Sequence, residues 1–354
     1  MAKPKKSRKQ TLIFNGIFML ISVVALELIF GGWLGHRRLH ELSIVRNRDH
    51  HKDVSDLTGE KKTIHYRRDQ HGLRGDYGSP SQIDILTLGG STTDQRAIGE
   101  GSTWQDLVVK SFKEKGKTLR IANAGVDGQC SFGHILMFDN WAPTVPKLKT
   151  KYVLVYAGVN DFYWQGGDHP DDPQGWFHTI EKNSIVYHVF RTIRGMLRVR
   201  YDYTLLGHVR VDLAKKNWTD KASRSDYATL MEKRRVAYHR RLVSLAKRIK
   251  TLGAQPIFVS QVFSAYYRDG GKITGLDEEI KYEGHIVNGV DVYHMFGILN
   301  ETMMDACKAS GGVCIDLASE IDFKPSDFYD YVHPNNQGTQ KLADYFTRKL
   351  TPIF

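Results

Sequence analysis

The chain has 354 residues, 41% of them hydrophobic, and a formal net charge of +11. That length and apolar content supply a core for one large α/β domain with additions, or for two smaller domains. Three cysteines, an odd number, exclude a disulfide-rich scaffold, and no cysteine or histidine spacing matches a zinc site.

The positive charge is concentrated at the start. Lys3, Lys5, Lys6, Arg8 and Lys9 form a basic tail over residues 1–10, directly before an apolar run from Thr11 to Leu34 whose one ionisable residue is Glu27. A basic tail before such a run belongs to membrane insertion rather than to nucleic-acid binding. A membrane-crossing helix needs about 20 apolar residues, whereas a cleaved signal has a shorter apolar region of about 7–15. Residues 11–34 are therefore expected to be an uncleaved transmembrane anchor, with Glu27 snorkelling toward the interface. Beyond the span, Arg37, Arg38, Arg46, Arg48 and Lys52 nearly balance the tail, but they mix with Glu41, Asp49 and Asp53. The compact, acid-free tail favours the cytoplasmic side. The expectation is a single-pass inner-membrane protein whose main domain lies on the periplasmic, extracytoplasmic side.

Residues 35–79 are polar and histidine-rich, and read as a juxtamembrane connector. A regular alternation follows. Short apolar runs at 83–89 (IDILTLG), 119–125 (LRIANAG), 152–158 (YVLVYAG), 255–261 (QPIFVSQ) and 312–318 (GVCIDLA) read as strands. Between them, Trp104, Leu107, Val108 and Phe112, and later Leu242, Leu245, Ala246, Ile249 and Leu252, recur at helical spacing. Strands separated by helices predict right-handed crossovers and a three-layer α/β/α sandwich around a five-stranded parallel sheet. Residues 162 to about 228 interrupt the rhythm and read as an inserted cap. Within it, Ile185, Val186, Val189, Phe190, Ile193, Met196 and Leu197 share one helical face, with Arg191, Arg194 and Arg198 largely on another. Such a helix docks on the protein core or lies on a membrane surface, and its place after the third strand suits a lid over the substrate entrance.

Cys307 and Cys314 bracket a turn containing Gly311 and Gly312. Two buried free thiols are the expected state, and a disulfide across the turn is the alternative.

Ligands in open parallel sheets gather beyond the carboxyl ends of the strands. Four features sit there: Ser91 after Gly89 and Gly90, the run NAGVDGQ (123–129), the run GVND (158–161), and DYVH (330–333). Each alone is an ordinary cap or turn. Together they supply a nucleophile, a base, an acid to orient the base, and oxyanion donors. A serine hydroxyl needs a histidine to take its proton as it attacks, and Asp330 lies three residues before His333, close enough to hold one ring nitrogen. Gly128 and Asn160 are placed to donate to an oxyanion.

This ordered set resembles the GDSL or SGNH hydrolases: Gly-Gly-Ser91-Thr, Gly128 within GVDGQ, Asn160 within GVND, and His333 closing DYVH. The resemblance covers 80–354 apart from the cap. It implies a flavodoxin-like SGNH fold and ester hydrolysis or acyl transfer without metal or organic cofactor. On that resemblance Ser91 is the nucleophile, His333 the base and Asp330 its partner. Ser91 N–H, Gly128 N–H and the Asn160 side chain form the oxyanion hole, and Asp161 steadies the turn. Gly90 and Thr92 depart from the Gly-Asp-Ser-Leu signature, which fits the looser, membrane-anchored branch of bacterial envelope polysaccharide systems. Thr93 also breaks the G-x-S-x-G elbow of the α/β-hydrolases, the lesser alternative. The expected activity is removal of O-acetyl or similar acyl groups from an envelope polysaccharide, with Tyr163, Trp164, Trp176 and Trp218 as candidate sugar platforms. The alternatives are an acyltransferase onto a glycan, a lysophospholipase, and a non-catalytic polysaccharide-binding or assembly protein. Oligomeric state is not legible.

Overall fold

The apolar run folds as a single helix, α1 (Arg8–Phe30), with no residue buried. At 1.5 Å per residue it is about 34 Å long, enough for a hydrocarbon core of about 30 Å. The computed structural model describes residues 8–34, 42–164, 180, 183–201 and 208–354. Two units divide the chain: Met1–Arg38 with Asp171–Gly207, and Leu39–Pro170 with His208–Phe354.

The smaller unit contains α1 and the amphipathic helix of the expected cap. Glu27 of α1 has partners within the protein. Its carboxylate accepts hydrogen bonds from Ser184 Oγ at 2.6 Å, Ile185 N at 3.0 Å and Val186 N at 3.2 Å, at the start of that second helix. The first N–H groups of a helix have no partner within it, so a carboxylate there satisfies both parties.

In the larger unit the first two strands are β1 (Arg48–Asp53) and β2 (Thr63–Arg68), an antiparallel pair. The segment 35–79, expected as a connector, is thus partly built into the domain, and its Leu42, Leu73 and Tyr77 join the core. Residues 35–41 lie outside the described residues, as do 1–7 with Lys3, Lys5 and Lys6.

The central sheet uses β3 (Ile83–Gly89), β4 (Ile121–Asn123), β5 (Thr150–Tyr156), β7 (Gln255–Val259) and β12 (Val313–Ile315), all parallel. Every residue of β3 is buried, as a strand covered on both faces requires. The order is β4-β3-β5-β7-β12. The chain therefore moves one way from β3 to β4, then returns past β3 and continues in the other direction. The switch point falls between β3 and β5, whose carboxyl ends, Gly89 and Tyr156, are register partners.

Helices close both faces. Thr103 and Asp106 cap the start of Trp104–Glu114 reciprocally, and Trp104 stacks at 4.5 Å on Phe346 of the last helix, Asn336–Leu350. Phe346 in turn meets Tyr156 of β5 edge-on. The other layer pairs the long helices Tyr227–Thr251 and Gly289–Ala309, with Tyr238, Leu242, Leu245 and Ile249 of the first and Met295, Phe296, Leu299 and Met303 of the second buried.

Three features depart from the sequence reading. An antiparallel sheet of β6 (Trp218–Thr219), β9 (Lys272–Leu276) and β8 (Tyr266–Asp269), and a hairpin of β10 (Ile280–Tyr282) and β11 (His285–Val287), accompany the main sheet. The expected cap ends early: residues 208–228 belong to the larger unit, where Val211 N bonds Tyr329 O and Leu213 is buried. Residues 165–179 with Trp176, 181–182 and 202–207 lie outside the described residues. Cys307 and Cys314 are joined by a disulfide with Cα atoms 5.8 Å apart, and Cys130 is a buried free thiol.

Candidate active site

The glycine pair after β3 exists because other groups occupy the space a side chain would take. A Cβ at Gly89 would lie 2.2 Å from Thr93 Oγ1 and 2.4 Å from Tyr156 O; one at Gly90 would lie 2.2 Å from Asn160 Nδ2. The strand can therefore turn sharply into a single helical turn, Ser91–Asp94, with the amide of Asn160 pressed against it. Ser91 opens that turn at the switch point and is 7% exposed.

From the far end of the chain, His333 Nε2 comes to 2.6 Å from Ser91 Oγ. His333 Nδ1 lies 2.7 and 2.9 Å from the two oxygens of Asp330. With the Nδ1 proton donated to a carboxylate, Nε2 carries the lone pair that accepts from the serine. Asp330 Oδ1 also accepts from the backbone N–H of Val332 at 2.8 Å and of His333 at 2.7 Å. Burial raises the Asp330 carboxyl, but the hydrogen bond and charge of His333 and these backbone donors outweigh it and hold the group below its ordinary value. The turn is fixed from below: Asn335, two residues after His333, caps Asn336–Leu350 through Gln337 N and Gly338 N.

Three groups are candidates to donate to an oxyanion beside Ser91. The N–H groups of Ser91 and Gly128 have no protein acceptor among the described residues. Gly128 is exposed in a turn at φ 74°, which a side chain would strain. Asn160 uses one amide proton on Gln129 O at 2.9 Å, leaving the second.

A buried framework sets these loops against each other. Asp161, wholly buried, accepts from Ser131 N and Ser131 Oγ and pairs with Arg241 at 3.1 Å, while Arg241 Nε donates to Ser131 Oγ at 2.7 Å. This ties the Asn160 turn to the helix that follows the Gly128 loop, a more specific part than the steadying role expected. Gln261 bridges Val159 N and Thr92 Oγ1, which accounts for Thr92 at its departure from the Gly-Asp-Ser-Leu pattern. Beneath the serine turn, Asp94 pairs with Arg68 at 2.5 Å and accepts from Tyr66 OH, and Arg74 spans Asp94 O, Gln95 O, Ile98 O and Glu100. Burial raises the Asp94 carboxyl, yet the charges of Arg68 and Arg74 dominate and keep it below its usual value. A pair buried this deeply contributes little net stability, but breaking one costs about 3–5 kcal/mol, so the turn is firmly held.

The sequence reading missed His208. Its ring stacks on His333 at 3.9 Å and 13°, with Nδ1 2.8 Å from Tyr329 OH and Nε2 3.3 Å from Asp127. Arg96 also reaches Asp127, at 3.0 Å. Burial raises the Asp127 carboxyl, and His208 and Arg96 more than reverse this. No spacing rule links residue 208 to residue 333. His208, Asp330 and His333 bring three ligand atoms within 4.8 Å of one another, but two of these residues are committed to the relay toward Ser91. Of the candidate sugar platforms, Tyr163 is 44% exposed, Trp164 packs on Phe132, and Trp218 packs on Tyr267.

No protein-family model matches the chain, and no curated protein matches its sequence. Among solved structures the chain is similar to a member of the lipolytic G-D-S-L family from Veillonella parvula, at 15% identity and a TM-score of 0.41, covering 77% of this chain and 100% of that one. An acetyl xylan esterase from Geobacillus stearothermophilus is similar at 15% identity and a TM-score of 0.41, covering 77% and 96%. A carbohydrate acetylesterase from Sinorhizobium meliloti is similar at 11% identity and a TM-score of 0.42, covering 77% and 100%. At such distance the likeness leaves function to be decided by the site itself.

Proposed function

We propose that the protein is a membrane-anchored serine esterase of the SGNH type that removes O-acetyl or similar small acyl groups from an envelope glycan. The observation that carries this reading is the unbroken relay Asp330–His333–Ser91, with His333 Nε2 2.6 Å from Ser91 Oγ. His333 takes the Ser91 proton as Oγ bonds to the ester carbonyl carbon. The resulting oxyanion is held by the N–H groups of Ser91 and Gly128 and the free amide proton of Asn160. As the carbon–oxygen bond to the sugar breaks, His333 returns the proton to the departing alkoxide. Water, deprotonated by the same histidine, then cleaves the acyl–Ser91 ester and regenerates the serine. Asp330, kept ionised, stabilises the imidazolium formed in each half-reaction.

Tyr163, three residues beyond Asn160 in sequence and partly exposed, supports a sugar substrate, because an exposed aromatic ring is a surface on which a sugar can stack. The length and composition of α1 support a membrane anchor. The disulfide supports an extracytoplasmic domain, since such bonds persist in oxidising compartments. Full-length protein in detergent should release acetate from acetylated oligosaccharides and cleave short-chain aryl esters, and Ser91→Ala should do neither. Retained turnover in Ser91→Ala would remove the assignment. Acetate release that accelerates only with an acceptor glycan, with new ester on that glycan, would make the enzyme a transferase.

A further inference from the structure

The helix Ile185–Tyr201 carries an apolar stripe that no described residue covers. Val186, Val189, Phe190 and Ile193 recur at the spacing of one helical face and are 47% to 63% exposed. Four solvent-facing apolar residues in a row of two turns are not the scattered hydrophobics of an ordinary surface. The segment from 185 to 201 contains four arginines and no acid, and Arg194 is open to solvent.

The start of this helix is held by the membrane-length helix. Glu27 lies three residues before the end of Arg8–Phe30, and its carboxylate receives Ser184 Oγ, Ile185 N and Val186 N as well as Trp33 Nε1 at 2.8 Å. Gly32 N adds a bond to Asn183 O at 3.0 Å. Ser184 Oγ also caps Tyr187 N at 3.1 Å. A carboxylate within an apolar span and bare N–H groups at a helix start are each costly away from water, and pairing them offsets both costs. It also fixes where the second helix begins, within one turn of the span's end, which is the depth of the lipid headgroups.

We propose that Ile185–Tyr201 lies in the bilayer interface, its stripe of Val186, Val189, Phe190 and Ile193 facing the acyl chains and Arg194 meeting anionic headgroups. The inference rests on the reading of α1 as a membrane anchor. The occupant of the stripe is lipid because the tether to α1 places it at the lipid boundary, and because an acid-free helix with four arginines complements an anionic surface.

The test uses full-length Phe190→Cys, labelled with an environment-sensitive fluorophore and reconstituted into vesicles of phosphatidylcholine with a minority of phosphatidylglycerol. Doxyl-labelled lipid should quench the label several-fold more strongly than aqueous iodide. Adding Glu27→Gln should weaken the lipid quenching while the protein stays with the vesicles. Stronger quenching by iodide would place the stripe in water, and quenching by neither would place it against protein; either result overturns the proposal. If the protein leaves the vesicles in an alkaline carbonate wash, the anchor reading itself fails and this inference falls with it, an outcome distinct from a retained protein with a water-exposed label.

Discussion

Gly90→Ala isolates the contact that makes the glycine pair necessary. The new Cβ would stand 2.2 Å from Asn160 Nδ2, so the amide must retreat by roughly 1 Å to reach ordinary contact. The φ of −86° at position 90 brings no left-handed strain, and the shortest contact of the added methyl is with the amide, the next being Gln129 O at 3.2 Å. An oxyanion donor acts at about 2.7–3.1 Å, and a shift of that size removes most of its contribution. Losing one donor lowers kcat by about 10²–10³-fold, or about 2.7–4 kcal/mol, with substrate binding largely kept. Hydrolysis of a short-chain aryl ester, with kcat and KM separated, provides the assay. Asn160→Ala should show a similar loss, and the Gly90→Ala/Asn160→Ala double variant should be little worse than Asn160→Ala, because the group the methyl mainly displaces is then gone and Gln129 O at 3.2 Å needs to give only slightly. Wild-type kcat in Gly90→Ala, or losses that simply multiply in the double variant, would refute the contact as the reason for the glycine.

Two further outcomes concern stability. Burial pushes the His134 imidazole down to about 4, so the folded protein keeps it neutral where an unfolded chain protonates it. Its contribution is full above about pH 6.5, is lost as pH falls toward about 4, and totals about 3 kcal/mol; urea titrations across that window should show a shallower loss for His134→Leu, and equal losses would contradict the assignment. The Cys307–Cys314 bond closes a short loop, and its reduction should cost about 2–3 kcal/mol. Peptide mass mapping without reductant should find the linked pair, and both thiols open to alkylation under denaturing conditions would remove it.

The main sheet was legible because a strand buried on both faces reads as a nearly continuous apolar run, and Ile83–Gly89 matches the expected boundaries residue for residue. The hairpin Arg48–Asp53 with Thr63–Arg68 was not. The inward side of its second strand carries Ile64, Tyr66 and Arg68, and an arginine at a buried position looks polar until Asp94 is seen opposite it. Ser91, Asp330 and His333 were legible through local spacing and position at strand ends, and they meet at hydrogen-bond distance. His208 and the partners of Glu27 were hidden for a common reason. His208, and Ser184 against Glu27, each act on a group more than a hundred residues away, across segments without a periodic signal to set the separation.

Reaction with a fluorophosphonate, followed by intact-protein and peptide mass spectrometry, tests the central claim most directly, because such a reagent bonds only a serine whose proton is being removed. One adduct on the peptide containing Ser91, absent from Ser91→Ala and strongly slowed in His333→Ala, is the predicted result. No adduct on Ser91 in folded protein, or equal labelling in His333→Ala, would contradict the account.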